Sequence, residues 1–493
     1  MPAIEQPATG VLAALAGVAF VAHMLVAGNY GYFRDELYYI ADGHHLQAGY
    51  VDQPLMMGWL AALLRVMVGD GLVVIHVVPA LACALLVVVT GLLARELGGG
   101  RVAQFVAGVA ALFAVNFMAT GSLFSMDVLD QLWWALAALI LARLLRRDAP
   151  RLWLLVGLVL AVALLTKLTV LFFCLALALA LLVTPARRHL RTPWPWLAAG
   201  IAFLGLLPDL LWNALNGWPT VAFYRHYSGV GTGPLNFLAT QLVLMNPIAV
   251  PLAIAGLVFY FRKAGARYRL LGWAFVFALL VLTALSTKPY FLAPAYPILF
   301  AAGAVVFERL RPRPRLAWLR PAYVALLALV GVLLAPAVMP ILPPATYARA
   351  YGTFDQVLAD RFGWGSLTRT VEQVYAALPP AQRAQACVLT SNYGEAGALQ
   401  LLAPPGRLPP IISGHNNYSL WGPGACTGRV LITVGYGPGD VQGAQSLYAH
   451  VTLAATARCQ YCVSYEQSVP IYVLADPTSP IFPRLWPSLK HFD

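Results

Sequence analysis

An all-α polytopic membrane domain of about eleven transmembrane helices, followed by a small α/β domain, is the fold class this sequence predicts. Three observations carry it. Of 493 residues, 60% are hydrophobic and 11% charged, where an ordinary soluble protein has about 25% charged. Apolar runs of near-span length recur through residues 1–338, with short basic loops between them. Beyond residue 339 the chain turns polar, is punctuated by Gly and Pro, and holds four of the six cysteines. The boundaries follow: a transmembrane domain over 1–338 and an extracytoplasmic (periplasmic) α/β domain over 339–493.

The first apolar run, near 11–27, reads as an uncleaved span, because no basic segment precedes it and many spans follow. Further runs lie near 72–93, 102–119, 128–145, 152–165, 168–184, 194–211, 243–261, 270–285, 291–309 and 321–338. The net charge of +12 is gathered in loops: Arg95 and Arg101, Arg143 to Arg151, Arg187 to Arg191, Arg262 to Arg269, and Arg309 to Arg320. Such clusters speak for topology, not for a nucleic-acid partner. With eleven spans all five fall on one side, which is then cytoplasmic in a plasma (inner) membrane, with the tail outside. The two runs between Arg151 and Arg187 are short, and a single tilted helix there would reverse everything downstream. The charge pattern favours a pair.

In the tail, Pro340, Pro343 and Pro344 mark a linker, a polar helix is expected near 366–378, and β-like runs are Ala386 to Thr390, Val430 to Val434 and Ile471 to Leu474. Cys387, Cys426, Cys459 and Cys462 are expected to form disulfides, in any of three pairings, in preference to a zinc site. No internal repeat is visible.

Chemistry concentrates in the loops facing outward. The first reads Arg34-Asp35-Glu36 among tyrosines, then His44-His45, then Asp52-Gln53-Pro54-Leu55. A partly desolvated carboxylate at a membrane edge is raised in pKa and becomes a useful proton acceptor. The plainer reading is an interfacial pair of Arg34 with Asp35 or Glu36. The second loop holds Asp127 and Asp130, three apart and so on one helical face, where either an N-cap at Asp127 or a cavity-facing pair fits. In the fifth, Lys288-Pro289-Tyr290 lies at a helix boundary, where Lys288 can meet an anionic headgroup or simply snorkel. Lys167 shares that ambiguity. Adjacent His44 and His45 are poorly placed to share one metal ion, and Gly229 to Pro234 reads as a loop, not a phosphate cradle.

At these residues the chain resembles a membrane glycosyltransferase of the C-type fold (GT-C), in the branch of protein O-mannosyltransferases and the aminoarabinose transferase that modifies lipid A (family 39-like). Arg34-Asp35-Glu36 resembles the motif with that branch's catalytic carboxylate. Asp52-Gln53-Pro54 resembles its acidic-x-Pro motif, with Leu55 where a second Pro is frequent. The acid of the second loop matches Asp127 or Asp130, and Lys288-Pro289-Tyr290 with Pro294 and Tyr296 resembles the Lys and aromatic segment before a late span. The tail segments from Asn392 to Gly397 and from Ser413 to Pro423 resemble bacterial members without an assigned role.

The resemblance implies an inverting transfer of sugar from a polyprenyl-phosphate donor to a glycan, lipid or protein acceptor. On this expectation Asp35 is the catalytic base; Glu36, Asp52 and Asp127 shape the acceptor and sugar sites, joined by Arg34, Gln53, Asp130 and Tyr290; Lys288 holds the phosphate. No cofactor is expected, and a divalent ion, used by some C-type transferases, is not favoured. Glu395, His415 and Trp421 are further loop candidates, Trp421 for sugar stacking. A transporter or flippase is the second reading, and it would put ionisable groups nearer the midplane. A non-catalytic envelope scaffold is the third.

Overall fold

The computed structural model describes residues 6–227, 233–310, 313–352, 355–479 and 481–493. Each of the eleven predicted runs is helical, but not every one is a full span. Seven helices are long and apolar enough to cross a bilayer: Thr9–Val26, Leu72–Glu96, Met126–Arg147, Trp194–Leu215, Lys263–Ala284, Pro289–Arg309 and Pro314–Val338. Val170–Val183 with Pro185–Arg191 and Pro234–Leu244 with Pro247–Phe261, bent by 102° and 94°, raise the number to nine if each pair is one span. Arg101–Leu112 and Pro150–Thr166 are apolar but short. The described residues therefore give seven to nine spans, and the expected eleven is not established.

The breaks have local causes. Proline cannot donate into a helix interior and pushes the residue before it out of the α region, which places bends at Pro185 and Pro247. Asn246, ahead of Pro247, adopts φ 81°, and its amide donates to the carbonyls of Phe113 (3.2 Å) and Leu327 (3.1 Å). The 152–184 stretch is two helices, Trp153–Thr166 and Val170–Val183, separated at Lys167, which is extended.

The five basic clusters meet at one end of the bundle. Buried Glu96 takes Arg143 (3.0 Å) and Arg146 (2.6 Å). Its carbonyl accepts from Tyr268 (2.7 Å), Arg267 reaches the Arg146 carbonyl and Arg309 the Gly98 carbonyl, and Arg188 pairs with Asp148. Side chains that would repel one another are thus threaded through carboxylates and carbonyls.

The opposite end carries the polar domain. Its strands are Ala386–Thr390 (β1), Ile411–Ser413 (β2), Val430–Val434 (β3), Tyr448–Arg458 (β4) and Ser468–Pro477 (β5), in the order β2-β1-β3-β5-β4. β1 runs parallel to β2 and β3, and β5 is antiparallel to β3 and β4. The two predicted runs that became β1 and β3 are buried along their whole length, as central parallel strands are. β2 has only three residues and β4 is largely exposed, so neither shows a strand signal in the sequence. The expected polar helix is Trp364–Ala377. The disulfides join Cys387 to Cys426 and Cys459 to Cys462.

The domain seats on the membrane half through two crossing helices, Arg34–His44 and Tyr393–Leu402. A Cβ at Gly397 would lie 2.9 Å from the Leu37 carbonyl oxygen, and one at Gly394 would overlap Arg34. Two glycines three residues apart therefore set the distance of closest approach.

Non-reducing peptide mapping should recover Cys387 linked to Cys426 and Cys459 to Cys462, with Cys83 and Cys174 as thiols; four free thiols in the tail would contradict the pairing. Because Cys387 and Cys426 are 39 residues apart, replacing Cys426 by Ala should cost the domain about 2–4 kcal/mol, read by chemical denaturation.

Candidate functional site

The site starts from the 11-residue helix Arg34–His44. Glu36 closes a capping box on the Phe33 N–H (2.9 Å), and its other oxygen receives the Phe124 N–H (2.7 Å) and lies 2.8 Å from His76 Nε2. It is fully buried. Glu36 thus ties the first polar loop to the second loop and to the Leu72–Glu96 helix, and these protein contacts occupy both its oxygens. Positions 35, 38, 39 and 42 share one helical face, which brings Asp35, Tyr38, Tyr39 and Asp42 to a common crevice.

Asp35 Oδ1 accepts the Tyr393 hydroxyl (2.9 Å) and lies 3.8 Å from Arg34 Nε. Its side chain keeps 30% exposure, but onto a crevice walled by both halves of the chain. Burial pushes its carboxyl above the usual value, against the pull of Arg34, the Tyr393 hydroxyl and Lys288, while the charge of Asp127 adds to the push. Arg34 turns toward the soluble domain: it donates to the Tyr465 hydroxyl (2.7 Å) and lies 5.2 Å from the Tyr393 ring centre.

Asp52 accepts from the Tyr38 hydroxyl (3.1 Å), and burial with the nearby charge of Asp35 pushes it up to about 7. Gln53 is buried and donates to Asp42 Oδ2 (2.8 Å). Asn417 donates to Asp42 Oδ1 (2.7 Å) and accepts from the Val51 N–H (2.8 Å). Burial and the charge of Asp52 drive Asp42 far above the ordinary carboxylate range.

On the other wall, Ser125, not Asp127, caps the Met126–Arg147 helix. Asp127 pairs instead with Lys167, whose ammonium also sits 5.1 Å from the Tyr290 ring and 4.9 Å from that of Phe291. Asp130 is buried and accepts from Thr169 (3.0 Å). Lys288 precedes the 3₁₀ turn Pro289–Ala295, which Gln241 fixes by donating to the Pro289 carbonyl (3.0 Å). Burial lowers the Lys288 ammonium, and Asp35 and Asp127 hold it up against Lys167 and Arg34. Lys288 and Arg225 also line a cleft of about 690 Å³ walled by Leu168, Leu171, Phe172, Leu206, Leu210 and Val221.

Asp35, Asp52, Asp127, Lys167, Lys288 and Tyr393 are thus close enough to act on one another's charge, while Glu36, Gln53 and Asp130 are buried around them. Sequence reasoning missed Asp42, whose signal was its spacing of seven from Asp35. It also missed Tyr393, 358 residues from its partner, for which no local signal exists. Glu395 is buried in the capping box that starts the Tyr393–Leu402 helix. Trp421 stacks on His45 with ring centres 4.0 Å apart, so one of its faces is already covered. Of the Gly229 to Pro234 loop, residues 229–232 fall outside the described residues. Among the described residues, the one set of three His, Cys, Asp or Glu ligand atoms within 4.8 Å of one another is His415, His491 and Asp493, which excludes the acids of this crevice.

Comparison with known proteins bears on this arrangement. Residues 52–212 match the profile of the family described as dolichyl-phosphate-mannose-protein mannosyltransferase. The lipid A galacturonosyltransferase RgtD of Rhizobium johnstonii is 28% identical over 257 residues, covering 49% of this chain and 52% of that protein. The chain thus spans about half the length of the curated relative it matches. The crystal structure of ArnT from Cupriavidus metallidurans bound to undecaprenyl phosphate superposes with a TM-score of 0.61 at 16% identity, covering 94% of this chain and 98% of that one. The mycobacterial arabinofuranosyltransferase AftD follows at 0.51 and 15%, covering 95% of this chain and 40% of that one. At such identities the likeness is one of fold. The chain is thus similar to that mannosyltransferase family over residues 52–212, and over nearly its whole length its fold is that of ArnT.

Proposed function

We propose that the protein transfers a sugar, with inversion, from a polyprenyl-phosphate donor to a glycan, lipid or protein acceptor at the outer face of the plasma membrane. The observation that carries this reading is a largely apolar cleft with Lys288 in its lining, beside a crevice in which Lys288 and Asp35 are near enough to act on each other's charge. A polyprenol needs an apolar trough, its phosphate a cation, and the acceptor hydroxyl a base. In the reaction the acceptor oxygen forms a bond to the anomeric carbon while the bond from that carbon to the phosphate oxygen breaks. Asp35 takes the hydroxyl proton. The electron pair leaves on the phosphate, where Lys288, with Arg225 in the same cleft lining, offsets the growing charge. Attack from the face opposite the leaving group inverts the carbon. Tyr393 acts through Asp35: its hydroxyl holds one carboxylate oxygen and favours the ionised form.

The similar proteins fit this reading, since one is a lipid A galacturonosyltransferase and another was crystallised with undecaprenyl phosphate. The convergence of basic loops at one end, and of disulfides in the domain at the other, supports a cytoplasmic basic end and an extracytoplasmic domain.

The decisive assay follows radiolabelled sugar from a panel of polyprenyl-phosphate donors into membrane fractions. Asp35→Asn should lower transfer by at least about 100-fold with the protein still folded; retained turnover would remove Asp35 as the base. Lys288→Met should lower kcat/KM by about 100-fold, as loss of one transition-state charge contact does, with partial recovery in Lys288→Arg. Tyr393→Phe removes a hydrogen bond to the charged form of Asp35, so the acidic limb of the pH–rate profile should move up by about one unit, the equivalent of about 1.4 kcal/mol. A lower rate with an unmoved limb would make Tyr393 a packing residue only.

A further inference from the structure

Segment 490–493 lies against the 413–417 loop on the far side of Tyr393 from the crevice. Its backbone is held without help from any side-chain charge: the His491 N–H donates to the Gly414 carbonyl (3.0 Å), the Asn416 N–H to the His491 carbonyl (3.0 Å), and the Asp493 N–H to Asn416 Oδ1 (3.2 Å). Against this frame the imidazoles of His415 and His491 stack with centres 4.6 Å apart and planes 20° apart. His415 Nε2 lies 2.8 Å from Asp493 Oδ1 and 3.1 Å from the Asp493 backbone carbonyl oxygen, and His491 Nε2 lies 3.9 Å from the same Oδ1.

The tautomer of His491 is decided by its other nitrogen. Nδ1 lies 2.8 Å from the Leu489 carbonyl, which can only accept, so Nδ1 holds the proton and neutral Nε2 presents a lone pair to a carboxylate. Two acceptor atoms thus lie 3.9 Å apart, with room for a shared cation. A backbone carbonyl on the remote nitrogen is also the usual outer partner of a metal-bound histidine. Tetrahedral zinc, with bonds of about 2.0–2.2 Å, sets its ligand atoms about 3.3–3.5 Å apart, a range that the two observed separations bracket. Ligand type points the same way, since two imidazoles and one carboxylate suit zinc better than calcium or magnesium. His491 and Asp493 are 42% and 48% exposed, which leaves an entry path and a fourth position for water.

We infer that His415, His491 and Asp493 form a binding site for a divalent transition metal, zinc by its donor set, that fastens segment 490–493 to the loop behind Tyr393. Ligation of His415 through Nε2 moves that ring's proton to Nδ1, which now accepts the Tyr393 N–H at 3.3 Å. That bond is given up on binding, so occupancy is felt one ring away from Asp35. The binding itself does not rest on the transferase reading.

The test uses the untagged full chain in detergent, stripped with EDTA and titrated with zinc chloride by calorimetry, with metal content read by mass spectrometry. One equivalent with a micromolar or tighter dissociation constant is expected in the wild type, and His491→Gln and Asp493→Asn should each weaken it by at least about 100-fold. A control change at the neighbouring pair, His45→Gln, should leave it intact. Folding of each variant is checked by its metal-free melting temperature. Absence of zinc uptake by the folded wild type overturns the inference, as does equal uptake by the folded His491→Gln and Asp493→Asn variants.

Discussion

The protein is organised around carboxylates that neither half of the chain could bury alone. Asp35 and Asp42 lie on one face of a single short helix, and each takes a hydrogen-bond donor from the C-terminal domain: the Tyr393 hydroxyl for one, the Asn417 amide for the other. A buried polar group left without its hydrogen-bond partner costs about 1–3 kcal/mol, so docking is enforced chemically as well as by packing. The remaining contacts follow from that requirement. Gly394 and Gly397 let the two helices approach, Arg34 lies over the Tyr393 ring, and buried Arg361 donates to the Ser122 carbonyl (2.5 Å) from the linker side.

Composition and hydropathy were enough to show a membrane bundle followed by a polar domain, because lipid demands long apolar helices and tolerates few charges. They could not show which runs complete a span. Where Pro185 and Pro247 bend the backbone and Lys167 interrupts it, hydropathy stays high while the helix ends. Buried strands β1 and β3 were legible for a related reason, whereas three-residue β2 and exposed β4 carry too little apolar periodicity to be seen.

The site was legible as a neighbourhood, less so as a set of roles. Asp35 and Glu36 are adjacent and chemically alike, yet one opens onto the crevice and the other is consumed by the Phe33 and Phe124 N–H groups and His76. A helix turns 100° per residue, and which acid faces inward depends on an entry angle that no local pattern encodes. Asp127 and Asp130 divide in the same manner: one meets Lys167, brought in by the helix break, and the other Thr169. Tail segments that resemble relatives without known roles acquire a reason here, since Asn392 to Gly397 and Ser413 to Tyr418 are the surfaces that meet the first loop.

That shared surface constrains how such proteins can diversify. Modular exchange of soluble domains between relatives would be a simple route to new acceptors if the domain were an appendage on a self-sufficient bundle. Here a graft made at the linker would deprive Asp35 of the Tyr393 hydroxyl and Asp42 of the Asn417 amide, leaving Asp42 only its bond from Gln53. Residues 34–54, 392–397 and 413–418 therefore form one heritable unit that spans two domains, and viable recombinants are those whose crossover points keep the three segments from a common parent.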